Sequence, residues 1–543
     1  MTKRRLWRLL ALLFAFSLVA AACGDSDDGD STTAGEETDT TAAEGGGDEE
    51  GEGDGSIGGG VTQEELDEAA NATTTTESEA VQAIDESTLD GIFAAAEQRR
   101  AELVADLSAK IESGEYGVGD DNVLRGPGGF EIDMSTCPAD WSDTTGITDS
   151  EVRIGHTTAQ SGNLAAYGNI ALGWDNYNQW VNANGGINGL DITLITKDDG
   201  YVAAQTIEFV DELIEAENVF YIVTLGSPNT LAVYDKLNAE CIPQPFVMTG
   251  HPAWGDPVNH PWTTGLQLSY STESILWGNW IRDNLADELP VTVAGLVMDN
   301  DFGLAYEKGF EAYAEANPDV VEEFVPVRHD PAAPTLTNEV TTIAAAAPEV
   351  FISMTAGNPC LLAIQEVDAV GLLDTLSAAF TPSVCKGIAA YMAPAGESAD
   401  GWWIVGGGAK DTTDPAYIDE PFIEFINTTL ADAGLDPSIS LYGTGYLYGY
   451  PYVEALRVAA DLPGGLSRTN FIIATRGLNI KHPLLLDGIS FAANGNEDSY
   501  YIEGSDFSLF DADAQSWSIV GDIVDVNGGS PNCAWDKDNG GCA

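Results

Sequence analysis

Short apolar runs alternate with longer amphipathic segments from residue 151 to about residue 405. The short runs are typical of buried strands, and segments whose apolar side chains recur every three or four residues are typical of helices. The predicted strands are residues 152–157, 191–196, 220–225, 291–298, 324–327, 350–354 and 402–405. The predicted helices include one that ends at residue 184 and those at residues 203–216, 303–317, 337–346 and 361–371. This alternation favours an α/β fold in which helices cover parallel sheets.

The alternation is interrupted near residue 270 and resumes at residue 291, which predicts two α/β units joined around residues 268–270. Pro326 cannot donate a backbone hydrogen bond, so we expect its strand to lie at a sheet edge. The expected lobes are residues 150–268 with about 406–503, and about 269–405 with 504–525. Because ligands of such sheets bind beyond the carboxyl ends of the strands, two lobes predict a cleft between them.

The first residues have the pattern of an export signal. Four basic side chains precede an apolar run at residues 9–22, which is too short for a membrane-spanning helix. Small residues lead to Cys23 and a polar segment follows it, so the region resembles a bacterial lipoprotein signal. The resemblance implies removal of residues 1–22, lipidation of Cys23, and an extracytoplasmic protein anchored to the bacterial cell membrane by that lipid. An ordinary secretory signal cut nearby is the alternative.

Two segments separate this signal from the α/β region. Residues 23–61 have almost no apolar side chains, so we expect an acidic, disordered linker. Residues 62–135 predict a helical stalk and connector, with a short helix near residues 63–69 and a longer one at 87–112. The longer helix is interpreted as a stalk or as a helix docked on the body, and a partner-binding helix is the alternative.

The charge balance and the motif content exclude several functions. The 543 residues include 21 Lys and Arg against 87 Asp and Glu, a formal net charge of −66. Such a surface repels phosphate backbones and anionic lipid headgroups, so we exclude nucleic-acid binding and a body that lies on a membrane. The sequence has no nucleophile elbow, zinc-protease motif or Walker lysine. The glycines of residues 443–449, before a predicted helix at 448–461, favour helix packing. We expect neither enzyme activity nor a cofactor.

Six cysteines remain when Cys23 is set aside, and an even number in an exported chain favours disulfides. The sequence alone does not fix their pairing. Our hypothesis joins Cys533 to Cys542 as a local loop in a C-terminal tail at residues 526–543, Cys360 to Cys385 between second-lobe loops, and Cys137 to Cys241 between the connector and the first lobe.

Several short motifs follow one another along the α/β region. They are Ile154-Gly155, Ser161-Gly162, Ala165-Ala166-Tyr167-Gly168, Gly185-Gly186-Ile187-Asn188-Gly189, Asp198-Asp199, Gly226-Ser227 and Asp301-Phe302-Gly303. Together they resemble the branched-chain amino-acid-binding proteins, the type I periplasmic solute-binding proteins that serve ATP-driven importers. The similarity covers roughly residues 150–525. It implies a two-lobed fold, a small-molecule ligand in the cleft, and permease subunits as partners.

The resemblance also implies ligand-binding positions. In the first lobe they are Tyr167, Ser227 for a ligand carboxylate, and Met248, Thr249, Gly250 and His251, whose loop supplies backbone amides. In the second lobe they are Phe302, Thr355 and Ser383. The chain departs from the family there, because residues 355–358 contain no aromatic ring and no carboxylate lies near Ser383 in the sequence. We therefore expect a ligand with a carboxylate or amide end and an uncharged other end.

The proline-rich loop at residues 251–262 lies beside the inferred cleft. A functional interpretation makes His251 or Trp254 part of the pocket wall, and a proline-stiffened structural loop is the alternative. A metal site of His251, Asp256 and His260 is not supported by the spacing, so we expect no metal.

The combined expectation is a lipid-anchored solute-binding protein that closes on a small solute and delivers it to an ABC permease. A ligand-sensing receptor on the same fold is the first alternative, and an extracellular enzyme is the second.

Overall fold

The structure, a computed structural model, describes residues 57–71 and 84–542. The expected signal at residues 1–22, the lipidation of Cys23 and most of the expected linker lie outside the described residues. Within the described part, no helix has both the length and the apolar character needed to cross a membrane.

The sheet of the first lobe is parallel, as predicted. Its strands lie in the order Asp191–Asp198, Glu151–Thr158, Tyr221–Thr224. Gln244–Val247 and Thr263–Gly265 form a parallel pair, which a bridge between Leu225 and Met248 links to the sheet. The central strand is buried along most of its length because the helices Gly168–Ala183 and Ala203–Glu215 pack against the sheet.

The sheet of the second lobe is larger. Its strand order is Val321–His329, Val291–Met298, Val350–Met354, Ala378–Thr381, Trp403–Val405, Phe507–Asp511, Ser516–Ile519. The strand that contains Pro326 lies at the edge, as predicted. The four strands that the sequence predicted in this lobe are parallel to one another. The last two strands were not predicted, and they are antiparallel. A short connection joins these two to each other, and a tight hairpin joins only antiparallel neighbours.

Helices and small sheets complete the described structure. The further α-helices are Gln63–Asn71, Leu89–Glu112, Ser227–Leu231, Tyr234–Ala239, Tyr270–Asn284, Asp301–Ala316, Thr337–Ala346, Asn358–Ala369, Ala393–Ala395, Pro421–Asp432, Ser440–Asp461 and Arg468–Arg476. The short strands are Gly117–Val118, Val123–Arg125 and Glu131–Asp133 in one sheet, and the pairs Asn479–Ile480 with Phe491–Ala492, Gly504–Ser505 with Val524–Asp525, and Trp535–Asp536 with Gly541–Cys542.

Within residues 84–542 the chain passes between the two large sheets three times. It leaves the first lobe after Gly265, returns after Val405, and crosses again before Phe507. These passages form the hinge region, and they place the carboxyl ends of strands from both sheets around one space.

The helix Ser440–Asp461 begins eight residues before the predicted start at residue 448. Its glycines lie inside the helix, where they allow close contact with the helix Gly168–Ala183. A Cβ atom at Gly445 would lie 2.4 Å from the Ile170 carbonyl oxygen and from the Trp174 nitrogen. The glycines therefore serve helix packing, and reading them as helix-opening residues gave the wrong boundary.

The helix Leu89–Glu112 is docked on the first lobe. Thr88 caps its N-terminus by accepting a hydrogen bond from the Gly91 nitrogen. Phe93 stacks on Trp180 with ring centroids 5.2 Å apart. Of the two structural interpretations of this helix, the docked one describes the structure, and a free stalk does not.

The N-terminal segment Ile57 to Val61 lies on the hinge region. The hydroxyls of Ser271 and Ser269 donate to the carbonyls of Gly58 and Gly59, and the Val61 nitrogen donates to the Thr272 hydroxyl at 3.0 Å. Val61 is completely buried. The expected linker at residues 23–61 therefore extends too far, because its last five residues pack on the body.

The described residues contain disulfides in the hypothesised pairing, between Cys137 and Cys241, Cys360 and Cys385, and Cys533 and Cys542. The first joins the connector to the first lobe, and the last closes a loop in the C-terminal tail.

Arg100 should contribute more to stability than its neighbour Arg99. Arg100 binds Glu454, whose side chain is only 2% exposed, whereas Arg99 binds the more accessible Glu86. Because Arg457 also binds Glu454, Arg100→Ala should lower the free energy of unfolding by about 2 kcal/mol, less than for a fully broken buried pair. Arg99→Ala should cost below about 1 kcal/mol. Urea unfolding measures both, and equal losses would contradict the docked arrangement.

Candidate functional site

A cavity lies between the lobes at the hinge region, and its volume is about 140 Å³. The first lobe contributes Tyr167, Ile170, Tyr201, Leu225, Gly226, Met248, Ser440, Leu441, Thr444, Leu447 and Tyr448. The second lobe contributes Phe302, Ala356, Ser383, Val384, Lys386 and Gly387, and the passages contribute Leu266, Gln267, Leu268, Tyr270, Gly406, Gly407, Ala409, Lys410, Asp411 and Ile502. Most of this wall is apolar or aromatic, which is typical of small-molecule sites.

Tyr167 joins the two lobes across the cavity. It ends the turn Gly162–Tyr167, which leads directly into the helix Gly168–Ala183. Its hydroxyl accepts a hydrogen bond from the Gly357 nitrogen at 3.0 Å and donates to the Val384 carbonyl at 3.4 Å. The conformation is therefore closed, with a predicted ligand-binding side chain spanning the cleft.

A second contact holds the cleft closed beside Tyr167. The Asn163 amide donates to the carbonyl oxygens of Pro331 and Ala333, each at 3.0 Å. Asn163 belongs to the first lobe and both carbonyls belong to the second, so opening the cleft must break these bonds.

Four of the predicted ligand-binding residues line the cavity: Tyr167, Met248, Phe302 and Ser383. Ser227 and Thr249 do not, although they lie next to it in sequence. Both side chains are buried, and their hydroxyl oxygens are 2.8 Å apart, so they hydrogen-bond to each other. The adjoining Gly226 and Met248 form the wall instead.

Gly250, His251 and Thr355 also lie away from the cavity wall. The Gly250 carbonyl accepts a hydrogen bond from the Tyr270 nitrogen at 2.8 Å. The buried His251 ring packs against Trp254 and Trp535, and burial lowers its pKa to about 3. These contacts support the interpretation of the loop as structural, rather than its interpretation as part of the pocket wall.

Thr355 binds a histidine of the same lobe. Its hydroxyl is 2.9 Å from Nε2 of His329, and its side chain is completely buried. Its neighbour Ala356 lines the cavity in its place.

The sequence analysis missed a carboxyl group beside Ser383. Glu273 lies in the first turns of the helix Tyr270–Asn284 and is completely buried. It accepts hydrogen bonds from the Ser383 nitrogen at 2.7 Å and the Ser383 hydroxyl at 2.9 Å. The Tyr306 hydroxyl donates to it at 2.7 Å. No carboxylate lies near Ser383 in the sequence, but Glu273 reaches it in space from a helix 110 residues earlier.

Burial raises the pKa of Glu273 to about 7, against the lowering effect of its three hydrogen bonds. Desolvation favours the neutral carboxyl, and the hydrogen bonds that it accepts favour the charged one. The site thus contains a carboxyl group that can be charged or neutral near neutral pH.

Two charged side chains of the cavity wall were also missed, one from the second lobe and one from the hinge region. Lys386 donates to the Ala409 carbonyl at 2.6 Å and lies 3.2 Å from Asp506. Lys410 lies 2.7 Å from Glu420. Both lysines are thus paired with carboxylates, so the cavity wall carries compensated cations. No spacing in the sequence brings these partners together.

Asp411 completes the polar side of the cavity. Its carboxylate accepts hydrogen bonds from the Ile388 nitrogen at 2.7 Å and the Thr413 nitrogen at 2.8 Å. Burial raises the pKa of this group.

The proline-rich loop does not gather its candidate metal ligands. The His260 ring nitrogens lie 3.1 Å from Asp256 and 2.8 Å from Asp235, whereas His251 packs on tryptophans. Among residues 57–71 and 84–542, no group of three or more His, Cys, Asp or Glu residues is arranged to hold a metal ion.

Several solved structures with similar folds are ABC solute-binding proteins. One is a fatty acid ABC transporter substrate-binding protein from Thermomonospora curvata, with 17% identity and a TM-score of 0.59 over 74% of this chain and 96% of that one. A branched chain amino acid ABC transporter protein from Thermus thermophilus with bound valine has 16% identity and a TM-score of 0.59 over 69% and 97%. A solute-binding protein from R. palustris in complex with benzoate has 16% identity and a TM-score of 0.57 over 71% and 100%.

No curated protein sequence matches the chain. A family model described as periplasmic binding protein matches residues 151–499, which is more than half of the chain. That range includes most of both lobes and nearly the whole cavity wall. Together with the type I α/β fold, the match shows that the chain belongs to the periplasmic binding protein family.

Proposed function

We propose that this protein is the extracytoplasmic solute-binding component of an ABC importer, anchored to the cell membrane through a lipid at Cys23. It binds a small solute with an apolar body and a carboxylate or amide end, closes over it, and delivers it unchanged to the permease. The observation that carries the proposal is the mostly apolar cavity between the lobes.

The size of the cavity limits the solute. Its volume of about 140 Å³ is close to the ~150 Å³ of an apolar protein cavity that accommodates benzene. This favours a single ring or a short branched chain over a long acyl chain. Solved proteins of the same fold bind valine and benzoate, and both compounds fall within this size.

The polar end of the solute faces the first lobe in this proposal. The backbone nitrogens of Gly226 and Met248 already donate to the carbonyls of Met248 and Thr224, and the Tyr167 hydroxyl donates to Val384. The hydroxyl of Tyr201, in the same wall, is a neutral donor that can bind a carboxylate or an amide without a buried cation. Closure then removes water from the solute and strengthens this hydrogen bond.

A thermal-shift screen of the purified full chain tests the proposed ligand class. The panel contains valine, leucine, benzoate, 4-hydroxybenzoate, benzamide and octanoate. At least one ring-sized or branched compound should raise the melting temperature, with a stabilisation of about 2.7 kcal/mol at about one hundred times its dissociation constant. Mass spectrometry should recover the compound unchanged. If none of the six shifts the melting temperature, the proposed ligand class is wrong, and a converted compound would indicate an enzyme.

Asn163→Ala should weaken ligand retention. The change removes two hydrogen bonds across the mouth of the cleft, each contributing about 1 kcal/mol to the closed state. A ligand identified in the screen should therefore dissociate about thirtyfold faster, as measured by stopped-flow tryptophan fluorescence. Asn188→Ala is the matched control, because Asn188 donates to Asp461 on the surface, away from the cleft. Equal dissociation rates in the two variants would contradict a closing role for Asn163.

A further inference from the structure

The direction of the hydrogen bonds at Ser383 determines which groups of a ligand it can bind. The Ser383 hydroxyl donates its hydrogen to Glu273, and the Ser383 nitrogen donates to the same carboxylate. Ser383 also lines the cavity. A hydroxyl has one hydrogen and two lone pairs, so the hydroxyl of Ser383 presents only lone pairs to the cavity while Glu273 is charged.

We propose that Glu273 is a positioning residue that makes Ser383 a hydrogen-bond acceptor, so that the site selects solutes with a hydroxyl or amino group at the end opposite their carboxylate. This inference rests on the proposed function, and it names the group that the second lobe recognises. A solute without a donor at that end leaves the Ser383 lone pairs unpaired in a closed, dehydrated cavity, which carries a desolvation cost.

The surroundings of Glu273 support a charge that acts through Ser383. The donors that reach Glu273 from the described residues are neutral, namely the Ser383 backbone and hydroxyl and the Tyr306 phenol. The titratable groups that face it are Tyr306, from the helix Asp301–Ala316, and Tyr270, from its own helix. Burial raises the pKa of both phenols, so they stay neutral across the physiological range. The negative charge of Glu273 is therefore offset by hydrogen bonds alone, and a donor on the ligand adds to them through Ser383.

Glu273 should also make stability depend on pH. The pKa of its carboxyl is about 7 in the folded protein and 4.5 ordinarily. Its contribution is therefore complete below pH 4.5 and is lost as the pH rises through 7. Glu273→Gln mimics the neutral carboxyl at every pH, so its melting temperature relative to the unmodified protein should rise between pH 5 and pH 8.

Glu307→Gln is the control for this measurement. Glu307 is another buried carboxylate of the second lobe, and it binds Arg328 outside the cavity. Its replacement removes an ion pair, so this variant should gain no stability at pH 8. If Glu273→Gln behaves in the same way, Glu273 is not the group that carries the pH dependence.

Ligand selectivity tests the proposal itself. Titration calorimetry at pH 8 compares benzoate with 4-hydroxybenzoate, and valerate with 5-hydroxyvalerate, because each pair differs by one hydroxyl opposite the carboxylate. The unmodified full chain should bind the hydroxylated member of at least one pair about tenfold more tightly, as expected for one hydrogen bond to a charge-linked acceptor. In Glu273→Gln the side-chain amide can donate to Ser383 and free its hydrogen, so the preference should fall below about threefold.

Two variants and a change of pH distinguish a positioning role of Glu273 from a merely structural one. Ser383→Ala should abolish the preference, while Glu307→Gln should retain it. The preference of the unmodified protein should shrink at pH 5.5, where Glu273 becomes neutral. Equal binding of both compounds of each pair by the unmodified protein would overturn the proposal for Glu273 and leave the proposed function standing. A full preference in Glu273→Gln or Ser383→Ala would do the same. If the unmodified protein binds neither member of either pair but binds other compounds of the screen, this proposal fails and the proposed function stands; if it binds nothing, both fail.

Discussion

The cavity between the lobes depends on a backbone contact that joins them. Gly357 adopts a positive φ of 67°, and a Cβ atom there would lie 2.8 Å from the Leu164 side chain and 3.0 Å from the Asn163 carbonyl oxygen. Only glycine combines that backbone conformation with so close an approach. The same approach brings the Gly357 nitrogen to the Tyr167 hydroxyl. A side chain at this position would hold the lobes apart, and the cavity would open to water.

Because water is excluded, charged groups at the cavity wall are stabilised in two ways, by ion pairs or by neutral hydrogen-bond donors. The two lysines of the wall are paired with carboxylates, so they can be dehydrated at moderate cost. Glu273 is dehydrated with neutral hydrogen-bond donors only, which is why the pKa of its carboxyl rises to about 7. Asp411 is a second buried carboxyl group of the site held by backbone nitrogens, whereas Glu273 lies behind Ser383, a serine that faces the cavity from the second lobe.

Local pattern was sufficient to predict most of the fold. The strands Val291–Met298 and Val350–Met354 and the helix Thr337–Ala346 have the predicted bounds, because each is a short apolar or amphipathic run with clear ends. The helix at Ser440 was predicted too short because its glycines act through contacts with another helix. Ser383 and Glu273 are 110 residues apart, and no local pattern indicates that they meet. The polar half of the site therefore depends on tertiary contacts, whereas Tyr167 and Phe302 belong to recognisable motifs.

The start of the helix Tyr270–Asn284 links the ligand site to the N-terminal segment Ile57 to Val61. Ser269, Ser271 and Thr272 hold the segment at Ile57 to Val61, and Glu273 follows them directly. On its other side the segment meets the first lobe, where a Cβ atom at Gly59 would lie 2.4 Å from the Pro252 side chain. A change in the angle between the lobes must therefore displace this segment against one of its two neighbours. The segment lies outside the family match, which begins at residue 151, whereas the serines and threonine that hold it lie inside.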